Sequence, residues 1–153
     1  MRDAGGKTAL VLAAIANHRA IVEILLKAKA KLNLRSKSGN TALPYAAWNG
    51  HIAATRILLE GGAAVNSKNE EGRTALIDAA INGHAECVRQ LLEHSADVNV
   101  RMTGGRTALC AAVWNGHIDA ARLLLDAGTE VNTRPRDGWT PSLMRLGMVV
   151  PRW

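Results

Sequence analysis

WNGHI, at residues 48–52, is spelled a second time at 114–118, in a chain that holds 4 tryptophans. Midway between the copies the chain reads INGHA from Ile81, so the true unit is half that distance, 33 residues. Thr8, Thr41, Thr74, Thr107 and Thr140 share one column of this register. His18, His51, His84 and His117 share another, and Asn33, Asn66, Asn99 and Asn132 a third, with no drift. A fixed period of this size signals stacked supersecondary units, none able to bury its apolar face alone.

Composition agrees with a soluble helical array. Of the 153 residues 48% are apolar, with Ala and Leu dominant, no Phe and 1 Tyr, so the core must be built from small and aliphatic contacts. The N-terminus MRDAGGKT carries no apolar run behind its basic residue, which argues against a secretory signal. No stretch approaches the ~18 apolar residues of a membrane helix. The expectation is an intracellular protein without membrane insertion.

One period shows how each is built. Thr74 stands as helix N-cap before the Ala-rich run ALIDAAI at 75–81, a short helix. Asn82-Gly83-His84 breaks it. AECVRQLLE at 85–93 then sets Cys87, Val88, Leu91 and Leu92 on one stripe, a second and longer helix. DVNVRMTGGR, from Asp97, reads as a hairpin-like finger leading to the next cap.

The recurring pattern G-x-T-A-L-x-x-A-A-x-x-G-H, then L-L, then A-D-V-N, resembles the ankyrin repeat. The likeness implies an all-α solenoid of four full helix-turn-helix repeats with finger-like hairpin loops, about 3–35, 36–68, 69–101 and 102–134. Residues 135–153 would be a partial fifth repeat, or a half-cap and tail. It also implies a protein-binding module instead of a catalyst. The sequence departs from the family pattern at the helix start, where Ala9, Ala42, Ala75 and Ala108 replace Pro, and Val11, Pro44, Ile77 and Cys110 replace His. Pro44 removes a backbone donor that Thr41 would cap, so the second unit should begin irregularly.

The histidine column invites a metal reading, which geometry rejects. Packed helices lie ~8–10 Å apart whereas zinc ligands sit ~2.0–2.1 Å from the ion, so equivalent residues of adjacent units cannot share one. Each Gly-His should turn the chain between helices, the glycine at positive φ and the histidine bonding nearby backbone, with Asn17 serving as the glycine in the first unit. His94, outside the column, is expected at the surface. Cys87 and Cys110 fall in largely apolar columns and read as buried thiols. Neither a carboxylate dyad nor a phosphate loop is present: no catalytic residue, metal or cofactor is expected.

Surface columns carry the functional expectation. In the ankyrin family contacts come mostly from finger tips and the exposed face of the first helix. Here Lys7, Arg73 and Arg106 precede the Thr column, Arg35, Lys68, Arg101 and Arg134 recur every 33 residues, and Lys37 and Arg136 add to the tips. Glu70, Glu71 and Asp137 oppose this basic ladder. Ile15, Trp48, Ile81 and Trp114 form an apolar column at the end of the first helices, with Tyr45 sharing a face with Trp48 and Asp78 with Ile81. Tryptophan is enriched among interface hot spots.

Net charge +6 is uneven: +4 in the first unit, +2 in the second, −3 in the third, 0 in the fourth and +2 after Arg134, with Arg2 completing the sum. KAKAK at 27–31, placed on the second helix of the first unit, is the densest basic cluster. The expected partner is a protein with an acidic segment and apolar anchors that seat near Trp48 and Trp114. Nucleic acid is the alternative, since a pI near 9.9 attracts phosphate, but the acidic third unit interrupts the stripe.

The ends suggest a third, structural reading. Val11, Leu12 and Ile15 lack the polar substitutions of a terminal cap. Trp139-Thr140-Pro141 begins another helix correctly. Leu143, Met144 and Leu146 would then form a half-cap, leaving Met148, Val149, Val150 and Trp153 unsheltered. Either the chain is a fragment of a longer array, or this tail folds back or docks on something; the chain should be monomeric unless the tail associates.

Overall fold

The computed structural model describes residues 2–133 and Arg136. Its helices alternate between short and longer: α1 (Ala9–Ile15), α2 (Arg19–Lys27), α3 (Ala42–Trp48), α4 (Ile52–Glu60), α5 (Ala75–Ile81), α6 (Ala85–Glu93), α7 (Ala108–Trp114) and α8 (Ile118–Asp126). The short helices pack in a row, α1 on α3 on α5 on α7, and the longer ones form a second row behind them, α2 on α4 on α6 on α8. The product is an all-helical solenoid, and no β-strand occurs among the described residues.

Small residues make the inner row possible. Ala13-Ala14, Ala46-Ala47, Ala79-Ala80 and Ala111-Ala112 are all at most 7% exposed, so neighbouring helices approach closely. Leu10, Leu43, Leu76 and Leu109 fill the space beside them at 1–2% exposure, each contributing about 1.5–3 kcal/mol of burial. The outer row closes the core with Leu58, Leu91 and Leu124, all fully buried.

Thr8, Thr74 and Thr107 cap their helices by accepting from the backbone N–H of Val11, Ile77 and Cys110. Thr41 makes no such bond, because the equivalent residue is Pro44 and has no N–H to give. The irregularity expected of the second unit is thus confined to its cap: Thr41 is 2% exposed and its hydroxyl has no partner.

The Gly-His turn does more than reverse the chain. His51, His84 and His117 donate from Nε2 to the carbonyls of Ile15, Trp48 and Ile81, at 2.9, 3.0 and 3.0 Å. The backbone they bond is near in space but 36 residues back in sequence, so each imidazole staples its helix pair to the one before. Gly50 and Gly83 have positive φ, and a Cβ on either would collide with the ring of His84 or His117.

Two further columns point the other way. Asn33, Asn66 and Asn99 accept through Oδ1 from the backbone N–H of Ala64, Asp97 and Glu130, at 2.9, 2.8 and 3.0 Å. Each finger is a turn closed across its base, as by Asn69 N–H to the Arg73 carbonyl, and its tip bonds the next finger, as by Thr103 N–H to the Glu71 carbonyl at 2.8 Å. These are turns rather than hairpin ladders.

Two expectations are corrected. KAKAK is not helical: α2 ends at Lys27 and Lys29 adopts φ +59°, in the column of Gly62, Ser95 and Gly128, where the register requires a left-handed residue to end the helix. Val11 is 1% exposed and belongs to the core, while Leu12 remains 44% exposed. The expected fifth unit, half-cap and tail (137–153) and Arg134 lie outside the described residues.

Candidate functional site

The cations read from the finger column and the aromatics read from the helix column form one surface. The Lys7 ammonium lies 5.6 Å from the Tyr45 ring centre, the Arg73 guanidinium 5.2 Å from Trp48, and the Arg106 guanidinium 5.2 Å from Trp114. Trp48 and Trp114 still expose 39% and 47% of their surface, so each stacked pair presents both charge and apolar area. Ile81 is half-buried against the core and its carbonyl receives His117.

Between α3 and α5 this surface opens into a cleft of ≈ 150 Å³ lined by Asn40, Pro44, Tyr45, Trp48, Arg73 and Asp78. Tyr45 is held by its hydroxyl, 3.1 Å from both Ser36 Oγ and Ser38 Oγ, and Asn40 Nδ2 donates to Ser38 Oγ at 3.3 Å. Burial opposes ionisation of the Tyr45 phenol, but the serine hydroxyls and the Lys7 charge outweigh it and leave its pKa below the ordinary value.

Asp78 occupies the floor. Its position on α5 aligns it with Ile81 along the helix, yet it is 3% exposed and faces α3 and the third finger, so it is not the open contact residue expected. Arg73 Nε stands 3.4 Å from Asp78 Oδ1 and 3.2 Å from Glu71 Oε2, close enough for charge attraction. Neither Arg73 Nε nor Asp78 Oδ1 has an aligned hydrogen bond, and Asn40 Oδ1 is equally unpartnered. Burial pushes the Asp78 carboxyl up to about 7, with Arg73 working against the rise and Glu71 adding to it.

The remaining ladder residues divide between structure and surface. Arg35 donates to the Lys68 carbonyl at 2.7 Å and lies 3.3 Å from Ser67 Oγ, clamping its finger to the next; Arg2, one period earlier and missed in the sequence, does the same to the Arg35 carbonyl at 2.8 Å. The signal was present, because Arg2 stands 33 residues before Arg35. Arg101 pairs with Glu130 at 3.7 Å. Lys37, Lys68 and Arg136 are exposed, and among the described residues the two lysines enter no ion pair. The third finger carries exposed Glu70 and Glu71 at its tip, breaking the basic line.

No group of three or more metal-ligating side chains occurs among the described residues. Cys87 and Cys110 are buried free thiols; Cys87 is pushed above its ordinary pKa by burial, and Cys110 Sγ sits 3.5 Å from the Thr107 hydroxyl. His94 is exposed and bonds the Gln90 carbonyl of its own helix. No helix among the described residues is long and apolar enough to cross a membrane.

A family model described as ankyrin repeats, in three copies, matches residues 1–69 and 58–135. Ankyrin repeats are generally protein–protein interaction modules. Among curated proteins none gives a significant match.

Proposed function

Because this chain belongs to the ankyrin-repeat family, we propose that it is a non-catalytic adaptor or scaffold which grips an acidic protein segment along its finger tips and inner-helix ends. Four full repeats, continued by a partial fifth at 135–153, would supply the surface. The observation that carries the reading is the stacking of Arg73 on Trp48 and Arg106 on Trp114, which joins a carboxylate-binding group to an exposed apolar anchor. No cofactor is needed, and the setting proposed is intracellular.

Nucleic acid is disfavoured by the same geometry. Glu70 and Glu71 interrupt the finger line, while Arg2 and Arg35 spend donors on backbone carbonyls. The test is fluorescence anisotropy with a labelled peptide of alternating Glu and Leu beside a labelled single-stranded oligonucleotide. The peptide should bind wild type and lose affinity when Trp48 and Trp114 are both replaced by Ala with helicity intact. Oligonucleotide binding with a steep salt slope, or peptide binding indifferent to the double substitution, would sink the proposal.

A further inference from the structure

The cleft between α3 and α5 is chemically unlike the ladder around it. In the other inner helices the Asp78 column holds Leu12, Tyr45 and Ala111, so α5 alone sets a carboxylate there. One guanidinium, that of Arg73, attends two carboxylates, Asp78 and Glu71, which leaves the site with a local charge of −1 when both are ionised. Two acceptors of cleft-lining residues, Asp78 Oδ1 and Asn40 Oδ1, are buried without an aligned hydrogen bond, Asp78 facing the equally unaligned Arg73 Nε at 3.4 Å, an arrangement that costs about 1–3 kcal/mol per group until an aligned donor arrives. Pro44, Tyr45 and Trp48 supply apolar and aromatic wall.

What fits must bring hydrogen-bond donors, positive charge and a slender apolar stem. On the cleft floor, beneath the exposed Arg73–Trp48 stack, a partner carboxylate would meet Asp78 and be repelled. A main-chain amide would satisfy one acceptor and leave the charge unmatched. We propose that this cleft is a receptor for a basic side chain, lysine or arginine, of the bound segment, its head shared between Asp78 and Asn40 and its stem laid along Tyr45 and Trp48. The inference rests on the reading of this face as a protein-binding surface. It specifies the partner more closely: acidic along most of its length, basic at the residue that faces the second and third helix pairs.

Asp78 provides the readout. Its carboxyl, raised to about 7 by burial, faces Arg73, Glu71 and, across the cleft from α3, Tyr45. A bound cation stabilises the ionised form and must draw this titration to lower pH. The experiment titrates the full chain with N-acetyl-arginine amide, N-acetyl-lysine amide and, as the acidic control, N-acetyl-glutamate amide, following the Asp78 carboxyl and Trp48 indole by NMR.

The basic amides should shift both resonances saturably and lower the Asp78 midpoint, while the glutamate amide does neither. Asp78→Asn should weaken the Trp48 response at least about tenfold, the loss of one charged hydrogen bond. Should that variant fail to fold, the Asp78 midpoint of the wild-type chain decides alone. An unmoved midpoint under the basic amides, or an equal response to the acidic one, overturns the inference. The parent reading fails separately: acidic-peptide binding that is absent, or indifferent to Trp48 and Trp114, while arginine amide still lowers the Asp78 midpoint, would remove the acidic-segment reading and leave the basic pocket.

Discussion

The joint between the second and third helix pairs and the joint between the third and fourth are built on one frame and finished differently. Both carry the histidine staple, His84 to Trp48 and His117 to Ile81, and both carry the asparagine strut. At the first joint Trp48 offers a ring to Arg73 of the following finger; at the second the equivalent residue is Ile81, and Arg106 stacks instead on Trp114 of the helix that its own finger leads into. Asp78 opens a polar floor at the first, where Ala111, 7% exposed, closes the second. Columns kept identical hold the repeats together. Columns that break their own pattern make the surface specific.

The largest effect should come from attacking the shared frame. Gly83→Ala must force φ +72° on a residue with a Cβ and drive that Cβ into His117, costing about 3–5 kcal/mol. Gly116→Ala has the same backbone problem at φ +75° but meets no described atom within 4 Å, so it should cost only about 1 kcal/mol. Urea denaturation of the two variants compares them directly. Equal losses would show that the imidazole seat contributes nothing beyond backbone conformation.

Next is the charge that distinguishes the joints. With Asp78 held at about 7 in the folded chain and near its ordinary 3.8 when unfolded, the native state binds the extra proton between those values. Stability is therefore lost as pH rises from about 4 to about 7 and levels off above, by up to about 4 kcal/mol in all at about 1.4 per unit. Asp78→Asn should remove that part of the slope. Identical pH profiles for wild type and variant would mean that Asp78 ionises as freely in the fold as out of it.

Much of this frame was legible without coordinates. The runs 75–81 and 85–93 are the helices α5 and α6 residue for residue, because Thr caps, Ala-rich faces and the Asn-Gly-His break are local signals. What resisted reading was whatever one repeat does to the next. A histidine that bonds a carbonyl 36 residues earlier looks in sequence like a turn residue, and the asparagine column had no assigned partner at all. Asp78 was placed correctly on its helix, but its burial depends on α3 and on Arg73 of the adjoining finger. Arg35 reads in the sequence only as a rung of the basic ladder for the same reason, since its acceptor, the Lys68 carbonyl, belongs to the following period. The cleft itself is a product of stacking, visible only when Tyr45, Trp48 and Asp78 are set face to face.

The two tryptophans should separate on this basis. Trp48→Ala and Trp114→Ala should each weaken the acidic peptide by about 2 kcal/mol, roughly thirtyfold, as hot-spot truncations. The response of the Asp78 carboxyl to arginine amide should vanish in the first variant and persist in the second, because only Trp48 lines the cleft. A Trp114→Ala protein that also lost that response would place the cation elsewhere on the surface.

The smallest effect concerns the cap. Pro44 leaves the buried Thr41 hydroxyl without the bond that Thr74 and Thr107 make, and Val stands at the same place in the first repeat, as Val11. Pro44→Val restores the donor at similar volume. The gain of a buried hydrogen bond, about 1 kcal/mol or somewhat more, is set against the greater freedom that valine gives the unfolded chain, so a net stabilisation of about 0.5–1 kcal/mol is expected from urea midpoints. No gain would mean that Thr41 already finds water. If the variant gains stability and still answers arginine amide, the cleft needs only an apolar wall at position 44. If it gains stability and falls silent, the rigid proline is what holds the cleft open, and the missing cap is the cost of that opening.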